Sequence, residues 1–168
     1  MSNESPYLKN NRLADVIAAL QAAGRYKFYK LDVPGWADRI VGDRTQSEYW
    51  RKVFEEHPEF FRLDSNRSRG SLVWRRQHQK RYDVDAGTSL SKEASVRLSE
   101  EQKKRISRDP LGTEELATLI NTAVNLHSRA IEHDRARRWW VSPAVGIIGA
   151  LSGLLGAIVG AIIAGSSG

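Results

Sequence analysis

The chain's 168 residues suffice for about one domain plus an appendage, and 26 Lys and Arg against 20 Asp and Glu leave a net charge of +6. Cysteine is absent, which excludes disulfides and thiolate metal sites and fits a reducing compartment. The surplus favours nucleic acid, anionic lipid or an acidic protein as partner, and it is confined to one half: residues 1–82 hold 16 basic and 10 acidic side chains, residues 83–168 equal numbers of each.

Residues 1–11 are expected to form a disordered lead. They lack the basic and apolar run of a signal peptide, and Ser2 stands where myristoylation needs glycine, so the bulk of the chain is expected in the cytosol. The Asn3-Glu4-Ser5 and Asn66-Arg67-Ser68 sequons are then chance matches. Leu13, Val16, Ile17 and Leu20 recur at i, i+3, i+4 and i+7, predicting a helix that Gly24 closes. The aromatic run Tyr26–Leu31 predicts a strand. Pro34 and Gly35 open a short helical piece carrying Trp36 and Ile40, ended by Gly42-Asp43. A second clear helix starts at Thr45 or Ser47, places Trp50, Val53, Phe54 and His57 on one face, and breaks at Pro58. Phe60–Leu63 and Ser71–Arg75 read as two strands, joined by the basic turn Asp64–Gly70.

The order over residues 12–82 is thus helix, strand, helix, helix, strand, basic loop, strand. With the junction His57-Pro58-Glu59-Phe60-Phe61-Arg62, this order resembles a winged-helix (helix-turn-helix) domain. The competing expectation is an unrelated small α+β domain. The resemblance implies that the helix over 47–57 is the one that enters a DNA major groove.

Residues 83–97 read as a polar linker. Ser99-Glu100-Glu101-Gln102 has the form of a capping box and predicts a short helix to about Arg108, broken at Pro110-Leu111-Gly112. Thr113 is expected to cap a long helix, with Glu114 and Glu115 complementing its dipole. Its apolar stripe runs through Leu116, Leu119, Ile120, Ala123, Leu126, His127, Ala130 and Ile131. Residues 98–140 are therefore expected to act as a helical stalk.

From Pro143 to Gly165 no residue is charged. A helix of that length spans about 34 Å, enough for a hydrocarbon core of about 30 Å with some tilt. Arg135, Arg137, Arg138, Trp139 and Trp140 precede it, matching the cationic and aromatic flank of a cytosolic membrane interface. With only Ser-Ser-Gly beyond, the layout predicts a single-pass, C-terminal tail anchor; the alternative is a buried core helix or a floppy Gly/Ala tract. Gly146, Gly149, Gly153, Gly156 and Gly160 share one side of the helical wheel, with two small-x-x-x-small pairs in register. Such a face lets backbones approach closely in lipid and predicts a homo-oligomer through the tail, against the plainer view that Gly and Ala are common in these helices.

On the helix over 47–57, Arg51 and Lys52 share the exposed side with Glu48, Glu55 and Glu56. Pairs Glu48–Lys52, Arg51–Glu55 and Lys52–Glu56 would leave that face near neutral, which counts against strong base reading. The remaining cations, Arg62, Arg67, Arg69, Arg75, Arg76, Lys80 and Arg81, are expected to contact phosphates or another anionic surface. A solvated face or a patch on anionic headgroups competes with that reading. Trp74 and Tyr82 interleave with these cations but are expected in the core. His57 is expected as a hydrogen-bonded core residue, and His127 and His133 lack the spacing for chelation on one helix. No Walker loop, dinucleotide-binding glycine pattern or nucleophile elbow occurs, so neither cofactor, metal nor catalytic residue is expected. Two functions follow as expectations. One is a tail-anchored, self-associating protein that presents a basic recognition domain, for nucleic acid or protein, to the cytosol. The other is a membrane-perturbing effector of a toxin or defence system, triggered through its soluble domain.

Overall fold

The computed structural model describes residues 5–138 and is a mixed α+β arrangement of small sheets and several helices. The chain divides into two compact units, Met1–His127 and Ser128–Gly168. Within the first, α1 (Arg12–Arg25) leads through β1 (Lys30–Asp32) into α2 (Val33–Val41), and α3 (Ser47–Glu56) into β2 (Phe61–Leu63) and β3 (Arg69–Leu72). Then follow β4 (Lys80–Asp83), β5 (Thr88–Ser89), α4 (Lys92–Val96), α5 (Glu100–Lys104), β6 (Ile106–Arg108) and α6 (Thr113–Arg138), with short 3-10 turns at Pro6–Leu8, Arg44–Gln46 and Trp74–Arg76.

Local chemistry explains the boundaries. The Asp32 carboxylate accepts the Gly35 N–H at 3.2 Å, capping α2, and Pro34 sits in the first turn, where a missing N–H costs nothing. Gly42 closes α2 at φ +74°, a left-handed geometry that suits glycine. At α5 both bonds of the capping box form: Ser99 Oγ accepts from Gln102 N–H, and Gln102 Oε1 from Ser99 N–H.

The first sheet has the antiparallel order β1-β3-β2, the second β5-β4-β6. The expected apolar stripes enter the core: Val16 and Leu20 of α1 and Trp50, Val53 and Phe54 of α3 are buried, with Val33, Trp36, Phe60, Phe61 and Leu72 among them. The indole of Trp36 donates to Gly70 O at 2.9 Å, satisfying its polar atom inside this core.

Several expectations are corrected, beginning with the disordered lead over 1–11, in which Pro6–Leu8 form a 3-10 turn and Tyr7 is buried. The strand over 26–31 reduces to Lys30–Asp32, because the Tyr26 and Phe28 carbonyls accept from the Arg75 guanidinium and the Tyr29 N–H donates to Ser107 Oγ at 3.0 Å. Backbone groups engaged by side chains are not free for a ladder. The strand over 71–75 runs instead from Arg69 to Leu72, and Trp74–Arg76 turns so that Arg75 points inward. The helix from Ser99 stops at Lys104, and Ile106–Arg108 pairs with β4. Residues 83–97 hold the end of β4, then β5 and α4, where a linker was expected.

The first half of α6 belongs to the same core. The Leu111 N–H donates to Gly24 O at 2.9 Å, and Leu111, Leu116, Leu119 and Ala123 are buried. A Cβ on Gly24 would lie 3.3 Å from Leu116 Cδ1, so glycine there permits the close approach. Residues 106–127 thus supply core residues of the first unit where a free stalk was expected, while α5 stays exposed on its surface. Thr113 is the first helical residue, and the side chain that caps is Glu115, which accepts the Gly112 N–H at 2.8 Å. In the second unit the described residues are the last turns of α6, where Arg135 and Arg137 are exposed. Among the described residues no helix is long and apolar enough to cross a membrane. The expected span 143–165 with its five glycines, and Trp139 and Trp140, lie outside the described residues.

Candidate anion-binding surface

The exposed side of α3 is close to electroneutral, through different partners from those expected. Arg51 pairs with Glu48 at 3.0 Å. Glu55 pairs with Arg67 of the β2–β3 turn at 3.3 Å, and Glu56 takes Arg12 at 3.0 Å as well as Lys9. Glu48, Arg51, Lys52, Glu55 and Arg67 line a shallow groove of about 350 Å³. Lys52 is exposed and, among the described residues, has no carboxylate within salt-bridge distance.

Asp64 builds the turn between β2 and β3. Its Oδ1 accepts the Ser68 N–H at 2.9 Å and the Arg69 N–H at 3.2 Å. Desolvation pushes its carboxyl upward, but these N–H groups and Lys30 outweigh that and hold it below the usual carboxylate range. Arg67 adopts φ +53° at the tip, strained for a residue with a Cβ.

Arg75, expected among the surface cations, is fully buried. Its Nε donates to Asp109 O at 3.1 Å, Nη2 to Arg108 O at 2.6 Å, and Nη1 to Ala23 O at 3.0 Å and Tyr26 O at 2.5 Å. Five donors in a rigid fork can serve these four carbonyls together. Burial lowers this guanidinium to about 10, still far above neutrality, so it remains a cation. It is a structural clamp. Arg81 is engaged as well, donating from Nε to Asp109 Oδ2 at 3.1 Å. Arg69 and Lys80 are exposed with no carboxylate partner among the described residues.

Charge accumulates on the outer side of the first sheet. Register sets Lys30 of β1 and Arg62 of β2 on either side of Ser71 of β3, so all three side chains leave the same face. The opposite face is the core side, where a Cβ on Gly70 would touch Phe54 at 3.3 Å. Around this row a cleft of about 260 Å³ is closed by Arg76, Arg108, Tyr29, Leu63 and Asp64. Lys30 Nζ lies 3.7 Å from Asp64 Oδ2. Arg108 stacks over the Tyr29 ring at 5.2 Å and donates to His78 O, while its Nε is buried without a hydrogen-bond partner.

Of the cations foreseen from the sequence, the cleft brings together Arg62 and Arg76, while Arg51, Lys52, Arg67, Arg69, Lys80 and Arg81 lie elsewhere. Lys30, Arg108, Tyr29 and Ser71 were missed. Lys30 and Arg62 carried a readable signal, since each is polar within a short strand whose neighbours are apolar. Arg108 carried none, because its segment reads as helix.

Trp74 and Tyr82 are half-buried. His57 is buried, with Nδ1 3.0 Å from Glu59 Oε1, and Tyr7 Oη donates to the same oxygen at 2.7 Å. Burial pushes the Glu59 carboxyl up, but bonds from His57 and Tyr7 overcome this and lower it. An ionised carboxylate only accepts, so Nδ1 of His57 carries the proton. Tyr7 is pushed well above the usual phenol range, first by burial and then by Glu59. Comparison of the chain with known protein families, curated proteins and solved structures finds no match.

Proposed function

We propose that the chain is a tail-anchored, self-associating protein whose body is a winged-helix-like module that grips nucleic-acid phosphates at the cytosolic membrane face. The element order α1-β1-α2-α3-β2-β3 and the antiparallel order β1-β3-β2 support the winged-helix likeness. The observation that carries the ligand is the set of exposed cations, Lys52, Arg62, Arg69, Arg76 and Lys80, with no salt-bridge partner among the described residues. The glutamates of α3 are meanwhile neutralised by Arg51, Arg67, Arg12 and Lys9. Free cations beside a neutral α3 favour backbone contacts over base readout. The residues 143–165 would supply the anchor and their glycine face the self-association, and clustering on a membrane turns weak contacts into avidity.

The test is binding of random-sequence duplex DNA to the full chain in nanodiscs across a salt series. About five phosphate contacts give a log–log slope near −4.5. Scrambling the duplex sequence is expected to change affinity by less than about threefold. A slope close to zero ends the nucleic-acid reading, and strong sequence preference ends the backbone-only mechanism.

A further inference from the structure

We propose that the cleft on the outer face of the β1-β3-β2 sheet is a binding site for a phosphate monoester or diphosphate group, carried by a small soluble molecule or a lipid headgroup. Two sheets and a 3-10 turn converge on it. Lys30 and Arg62 come from the first sheet, Arg108 from the second and Arg76 from the turn after β3. Four cations thus face one carboxylate, and that carboxylate, Asp64, is already engaged by two backbone N–H groups.

Like charges gathered in one concavity repel one another, and a compact dianion relieves that repulsion at every pair. The chemistry of the wall sets the ligand class. Guanidinium forks offer paired donors matched to phosphate oxygens. Ser71 adds a hydroxyl from a side chain that is nine-tenths buried, and its bond to Arg62 O is long at 3.5 Å, so its proton is readily redirected. The buried Nε of Arg108 is a further donor lacking an acceptor. A rotation of Arg108 that brings this donor to an oxyanion in the cleft would recover the free energy its unpaired state costs.

Size excludes a polymer. At about 260 Å³ the interior of the cleft admits a diphosphate or a phosphorylated sugar, whereas a duplex reaches only the exposed cations Arg62 and Arg76 at its rim. The charge of a monoester is concentrated on one phosphorus, whereas backbone diesters carry one charge each along a strand. The site shares Arg62 and Arg76 with the nucleic-acid reading, but Lys30, Arg108 and Ser71 belong to it alone, and it does not require that a duplex binds.

The experiment titrates inorganic pyrophosphate into the full chain in phosphatidylcholine nanodiscs, by calorimetry and by thermal melting. One saturable site and a rise in Tm are expected. Arg62→Ala and Arg76→Ala, both at exposed positions, should each weaken binding at least tenfold while their ligand-free melting stays at or above that of the parent. Lys52→Ala and Arg69→Ala should bind pyrophosphate as the parent does. Absence of saturable binding at millimolar pyrophosphate overturns the proposal, as does equal affinity in all four variants. Vesicles bearing phosphatidylinositol phosphate form the second arm: tighter binding there than to pyrophosphate, lost in the Arg62 and Arg76 variants, places the phosphate on a lipid. The reverse order places it on a soluble molecule, and either order supports the site. Duplex affinity measured on the same samples separates the two readings, since its absence leaves the pyrophosphate result standing.

Discussion

A guanidinium with no carboxylate of its own ordinarily belongs at a surface, because leaving water costs several kcal/mol unless hydrogen bonds replace the hydration shell. Arg75 meets that condition through carbonyls of Ala23, Tyr26, Arg108 and Asp109, in segments far apart along the chain. Arg75→Met keeps much of the volume and removes every donor, orphaning several buried carbonyls at once. The expected loss is about 3–5 kcal/mol, read as a lowered denaturant midpoint, whereas Arg76→Met next to it should change stability by less than about 0.5 kcal/mol. Nothing in the residues around Arg75 distinguishes it from Arg76 before folding. The two are adjacent, equally basic and equally suited to a surface, and what separates them is the inward turn at Trp74–Arg76 and partners contributed by remote backbone. His57, by contrast, was legible as a core residue because it extends the apolar period of Trp50, Val53 and Phe54.

At the scale of elements, helices that end in side-chain chemistry were readable and strands defined by partners were not. The capping box at Ser99 and the stop at Gly42 are local signals, and both stand where the residues put them. The aromatic run Tyr26–Tyr29 carries strand propensity, yet Arg75 and Ser107 claim its backbone, a tertiary event that no window of sequence contains. A similar distant contact holds the first 3-10 turn, where Tyr7 and His57 meet on Glu59. The Glu59 carboxyl is lowered in the folded chain, so the stability it contributes is fully present above the ordinary carboxylate pKa and disappears as pH falls through the lowered value. Tyr7→Phe removes one of the two donors and lets that pKa climb back. The acid-unfolding midpoint should therefore move to higher pH, with a loss of about 1 kcal/mol at neutral pH. A midpoint unchanged from the parent would assign Tyr7 to packing only.

For the molecule as a whole, the stretch over 12–82 is not a self-sufficient piece. Arg108 and Asp109 supply acceptors for the Arg75 clamp, Leu111 and Leu116 fill the side of α1 at Gly24, and Leu119 is buried in the same unit. Burying those three leucines contributes on the order of 5 kcal/mol, comparable to the net stability of a small domain. A fragment of residues 1–82 should accordingly show no cooperative melting transition, while residues 1–127 should melt sigmoidally. Cooperative unfolding of the shorter piece would show that the later elements are accessory. Domain limits were the least legible feature of the sequence, since residues 83–97 look like a linker by composition and gain structure only when β4 finds β5 and β6.

The seating of Leu111 and Leu116 against Gly24 also sets a timetable for biosynthesis. Helices α1 to α3 leave the ribosome early, but the surface on which those leucines rest stays uncovered until residues 111–123 have been translated. During that interval the nascent polypeptide displays a greasy, incompletely covered flank, the kind of surface that holding chaperones bind. Synthesis in cells depleted of such chaperones should then trap more of the product as aggregate, formed before α6 emerges.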